Sequence, residues 1–103
     1  SDLCDALYGV RPDSRHLAET YGGYDIPSNV TNVFFSNGLL DPWSGGGFYY
    51  TESASSSNAF CTMPGGAHHS DLRGPREDDP SDVKECRAQE EAFLAAIVAE
   101  ALL

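Results

Sequence analysis

The chain has 103 residues, room for one small domain at most. Six basic residues against sixteen acidic ones give a formal net charge of -10, which excludes the basic stripe expected of a nucleic-acid surface. With 41% hydrophobic residues the chain is too apolar for a disordered tail, yet no apolar run is long enough to span a membrane.

The predicted elements begin with a helix ending at Tyr8, with Leu3, Ala6 and Leu7 on one side and Gly9 as its terminator. Residues 11–28 hold two prolines, Gly22-Gly23 and scattered charge, and read as a connection with one short helical turn around residues 14–21. Asn32-Val33-Phe34-Phe35-Ser36 lacks strict alternation, the pattern of a strand buried on both faces. Asn37-Gly38 is a turn signal, and the plain reading is a β-hairpin into Leu39-Leu40. Against that reading, the second arm would end at once in Asp41-Pro42, with Gly45, Gly46 and Gly47 beyond. A Ser-rich loop follows, then a second strand over residues 59–63, stopped by Pro64-Gly65-Gly66.

The last element is a helix after Asp79-Pro80, with Asp79 as N-cap and Pro80 in the first helical position. Val83, Cys86, Phe93, Ile97 and Ala101 fall at helical spacing, widened by Leu94, Val98 and Leu102 and interrupted by Glu90. Two short strands do not make a stable α/β layer alone, because a parallel sheet needs cover on both faces. The chain also begins at Ser1 and has its only methionine at Met63. A processed or partial piece of a longer protein is therefore expected.

Two residues stand out chemically. Asp41 follows an apolar strand and precedes Pro42, which restricts it to extended geometry at the end where α/β sheets gather ligands and catalytic groups. Its plain alternative is a turn-capping Asp. His68 follows Gly65-Gly66-Ala67, small residues that let a loop approach its neighbours closely; its plain alternative is a surface His without a partner. An Asp after one strand and a His after the next is the order found in α/β hydrolases, where a Ser precedes both. No Gly-x-Ser-x-Gly occurs in the chain, so a nucleophile would lie upstream. His68, His69 and Asp71 do not read as metal ligands: adjacent histidines point apart and no second cluster completes a site. The Gly45–Gly47 run is not a phosphate loop, since no Lys-Ser/Thr follows it. The chemistry requires no cofactor.

Residues 35–47, Phe-Ser-Asn-Gly-Leu-Leu-Asp-Pro-Trp-Ser-Gly-Gly-Gly, resemble a signature of the S28 serine peptidases. Residues 66–73, Gly-Ala-His-His-Ser-Asp-Leu-Arg, resemble the second. Cys4, Tyr8-Gly9, Gly22-Gly23 and the terminal helix also have counterparts, so the likeness covers nearly the whole chain. The resemblance implies that residues 1–103 are the C-terminal portion of an α/β-hydrolase peptidase domain: the last core strands plus the terminal helix, an incomplete sheet whose helical insertion domain lies upstream. It implies Asp41 as the triad acid and His68 as the triad base. The implied partners are the rest of the hydrolase domain and a peptide with proline or a small residue near a terminus. Members cleave on the carboxyl side of that residue, some as carboxypeptidases and some as dipeptidyl peptidases, in lysosomes, vacuoles or outside the cell.

Further expectations attach to the motif. Asp71 and Arg73 are read as a pair fixing the loop. Trp43 and His69 are weak candidates for substrate binding, with Trp43 more readily read as packing under the glycines. Asn29-Val30-Thr31 is a glycosylation sequon, placing a glycan on Asn29. With Cys4, Cys61 and Cys86, one thiol is free or pairs outside the chain. The pairing is left open, with Cys4 and Cys86 joined to each other or to cysteines elsewhere as one option, and Cys61 stands in a strand where an aliphatic residue is expected. Two other readings compete: another α/β hydrolase such as an esterase or lipase, and a truncated, catalytically incompetent fragment or interaction module.

Overall fold

The computed structural model describes residues 2–103; Ser1 lies outside them. The described residues form four α-helices: α1 (Asp2–Tyr8), α2 (His16–Tyr21), α3 (Ile26–Asn29) and α4 (Ser81–Ala101). Two strands, β1 (Phe34–Gly38) and β2 (Ala59–Met63), lie between α3 and α4. Gly9, at φ 65°, takes a bond from its own N–H to the Asp5 carbonyl and ends α1. α3 falls in the stretch read from sequence as a connection. Pro27 looked like a breaker there, but it occupies the first turn, where a missing N–H costs nothing.

β1 begins and ends later than the sequence pattern indicates. Asn32 sits at φ 59°, a left-handed geometry that Asn tolerates and a strand does not use. The strand then runs straight through Asn37-Gly38 instead of turning. β1 and β2 pair in parallel, from Phe34 opposite Ala59 to Gly38 opposite Met63, so there is no hairpin. A parallel partner requires a long crossover, and residues 39–58 supply it.

Successive side chains of β1 point to opposite faces. Phe34 meets Phe93 of α4 edge-on, ring centres 5.5 Å apart. Phe35 stacks on Phe60 at 5.0 Å and meets Phe48 at 5.7 Å on the other face. The core is Cys61, Met63, Val83 and Cys86, with Phe34 packed against it. Burial of a side chain such as Met63 or Val83 contributes about 1.5–3 kcal/mol.

Two expectations are corrected here, on the cysteines and on the start of α4. Cys61 pairs with Cys86, joining β2 to α4, and Cys4 is free and exposed. Facing positions on a strand and its covering helix brought those two together. α4 starts at Ser81 behind Pro80, with no side-chain cap, because the Asp79 carboxylate is engaged by arginines instead. The apolar stripe of α4 is only partly covered: Val83 and Cys86 are buried, whereas Leu94 and Val98 remain exposed. No helix among the described residues is long and apolar enough to cross a membrane.

Candidate active site

Asp41 and His68 follow the carboxyl ends of two adjacent parallel strands, so the sheet delivers both to one edge. Asp41 stands in a tight turn: its N–H donates to the Gly38 carbonyl, and its own carbonyl accepts from Ser44 N–H. Its Oδ1 accepts the Trp43 N–H at 2.9 Å, which orients the carboxylate. Its Oδ2 lies 2.7 Å from His68 Nδ1. That separation is within the hydrogen-bond reach a coupled acid–base pair requires.

The loop bearing His68 is tightly folded. Ala67 N–H donates to Ser70 Oγ at 2.9 Å, Ser70 N–H to the Ala67 carbonyl at 3.3 Å, and Arg73 N–H to the His69 carbonyl at 3.2 Å. His69 takes φ 55°, a left-handed conformation in which a non-glycine residue is held only by its surroundings. Gly38 makes the approach of this loop possible: a Cβ there would lie 2.6 Å from the Gly66 carbonyl oxygen and 2.7 Å from that of Ala67. The pair read from sequence as a turn signal thus serves as a contact point.

The bond to His68 lowers the Asp41 carboxyl below its ordinary value, and the Trp43 N–H and the two imidazoles add to this against some desolvation. An ionised carboxylate only accepts, so His68 Nδ1 is the donor, and in the neutral imidazole Nε2 then carries the lone pair. The His68 side chain is 54% exposed, and no hydrogen bond of the described residues uses Nε2. The geometry therefore offers an oriented base with its free nitrogen facing outward.

A cleft of about 120 Å³ adjoins the pair, lined by Ser36, Asn37, Trp43, His69 and Asp71 among others. Trp43 is 77% exposed, so it does not pack beneath the glycines; its indole stands beside the pair. The His69 ring lies 3.8 Å from that of His68. Arg73 does not pair with Asp71. It binds Asp79 Oδ1 at 2.5 Å, while the buried Asp71 Oδ2 has no hydrogen-bond partner among the described residues. Asp79, whose side chain is 0% exposed, also accepts from Arg76 N–H and from Arg87 Nη2 at 3.1 Å. These bonds lower its carboxyl below the ordinary value, the backbone N–H of Arg76 first among them. Arg87 donates further to the carbonyls of Asp71 and Ser70, at 3.0 and 3.1 Å. Sequence reasoning missed this network, because two of its acceptors are backbone carbonyls, which carry no residue signature, and Asp79 reads as a helix cap. Asn29, at the end of α3, is exposed.

The family model of the serine carboxypeptidases, S28, matches residues 1–90. The lysosomal Pro-X carboxypeptidase of Bos taurus is 43% identical over 94 residues, covering 91% of this chain and 18% of that protein. The Homo sapiens protein of the same name is 44% identical over 90 residues, 87% of this chain and 18% of the relative. Prolyl carboxy peptidase like protein 5 of Caenorhabditis elegans is 43% identical over 81 residues, 79% and 15% respectively. The chain belongs to the serine carboxypeptidase S28 family. It spans less than a fifth of the length of these curated relatives.

Proposed function

We propose that this chain supplies the Asp and the His of the catalytic triad of a serine exopeptidase that cleaves after proline. The single observation supporting it is the 2.7 Å bond from His68 Nδ1 to Asp41 Oδ2, made at the strand ends of a chain of this family. In this reading residues 1–103 are the C-terminal portion of an α/β-hydrolase peptidase domain, and the Ser comes from a part of the fold outside these residues. His68 Nε2 takes the Ser proton as the nucleophile attacks the scissile carbonyl, then returns it to the leaving amine. Asp41 holds the Nδ1–H tautomer and stabilises the imidazolium that forms. In this reading Trp43 and His69, which line the cleft beside the pair, touch the bound peptide. The names of the relatives support a Pro-X peptide as substrate and a lysosomal location, and Asn29 is the proposed glycan attachment.

The test is the full-length enzyme with Asp41→Asn and His68→Ala on proline-containing peptides. Each variant should lose about 10⁴-fold in kcat with the fold intact. Turnover unchanged in either would remove the triad assignment. The product released identifies the peptide end that is cut.

A further inference from the structure

The loop that carries His68 is not held by its own hydrogen bonds alone. Its left-handed residue, His69, would relax without external support. The support comes from α4. Arg87 Nε donates to the Asp71 carbonyl at 3.0 Å, and Nη2 to the Ser70 carbonyl at 3.1 Å and to Asp79 Oδ2 at 3.1 Å. One planar guanidinium thus grips two consecutive carbonyls of the His loop, and Asp79 fixes the plane of the fork. The Arg87 side chain is 13% exposed and that of Asp79 is 0% exposed, so water does not compete strongly for these bonds. The root of the side chain is also fixed, because Cys86, its neighbour in the chain, is bonded to Cys61 of β2.

We infer that Arg87 is a positioning residue for the proposed peptidase: it touches neither Asp41 nor His68, and clamps the loop so that the imidazole stays on the Asp41 carboxylate. This rests on the catalytic reading of Asp41 and His68 given above. Arg87 acts through backbone geometry, so its loss should weaken the chemical step and leave peptide binding intact. A lysine has a point charge on a flexible stem and cannot reproduce the flat two-carbonyl grip.

The experiment uses the full-length enzyme with Arg87→Ala and Arg87→Lys. Arg87→Ala should lower kcat about 100-fold, as expected for a misplacement of roughly 1 Å, with KM within about twofold of wild type. Arg87→Lys should fall between the two. Added guanidinium ion should restore part of the kcat of Arg87→Ala. Crystal structures should show the Nδ1–Oδ2 separation widening beyond about 3.5 Å in Arg87→Ala, outside hydrogen-bond range. The inference is overturned if kcat survives in Arg87→Ala, or if kcat is lost with that separation unchanged. If Arg87→Ala does not fold, Arg87→Lys decides by the same readouts: wild-type kcat, or lowered kcat with an intact His68–Asp41 bond, overturns it. Failure of the catalytic reading shows separately, as full activity in His68→Ala.

Discussion

At the scale of single residues, the bond between Asp41 and His68 sets a definite pH dependence. The Asp41 carboxyl titrates below its ordinary 3.8 in the folded chain. A depressed carboxyl contributes stability that is complete above 3.8 and is lost as the pH falls through the lower folded value. His68 therefore keeps an ionised partner throughout the mildly acidic range. Carboxyl NMR should place the Asp41 midpoint below 3.8 and show it moving upward in His68→Ala; a wild-type midpoint at or above 3.8 would contradict the assignment of the bond. Asp41 and His68 could be singled out from sequence because their neighbours announce them: Pro42 on one side, Gly65-Gly66 on the other. Arg87 could not, and Asp79 reads there only as a helix cap. Arg87 lies among acidic and helix-forming residues, and its meaning arises only when α4 meets the carbonyls of residues 70 and 71. Trp43 reads as a packing residue because a large aromatic is ordinarily buried, whereas in the structure it is exposed.

At the scale of elements, the strand-to-loop contact at Gly38 is where sequence and structure part most instructively. Asn-Gly favours a hairpin locally, but pairing of β1 with β2 along its full length outweighs that preference. The glycine is needed because the backbone of residues 66 and 67 crosses directly over it. Gly38→Ala should cost about 1–3 kcal/mol by overpacking and displace the loop that bears His68. A urea melt together with kcat would check this; wild-type values for both would show that the contact yields easily. α4 gives a second test. Burial raises the Glu90 carboxyl above its ordinary 4.5, with the Asp71 charge adding and Arg87 partly opposing. A raised acid penalises the folded state as the pH climbs from 4.5 through the folded value. Glu90→Gln should therefore stabilise the protein by about 0.5 kcal/mol at neutral pH, a figure kept small for partial exposure, and by nothing in acid where both forms are neutral. Urea titrations at two pH values read the difference. The helix itself was plain in the sequence, from the spacing of Val83, Cys86, Phe93 and Ile97. Its start was not, because Asp79 looks like a cap until two arginines are seen to claim it.

At the scale of the whole molecule, a core of four buried apolar residues is small, and a covalent link runs through it. Closing the loop between Cys61 and Cys86 should contribute about 3 kcal/mol, chiefly by restricting the unfolded chain. Cys61→Ser with Cys86→Ser should lower the Tm accordingly, and a proteolytic map without reductant should recover the two cysteines in one linked fragment. Separate fragments would refute the pairing. Cysteine spacing left this partner choice open, because the pairing depends on how α4 lies across β2. The same bond bears on how the protein is made. A host that folds it in a reducing cytoplasm leaves α4 on β2 by packing alone, with the guanidinium at Arg87 tethered to a looser support. Expression routed through an oxidising compartment should yield a larger correctly assembled fraction, and for reasons unconnected with glycans.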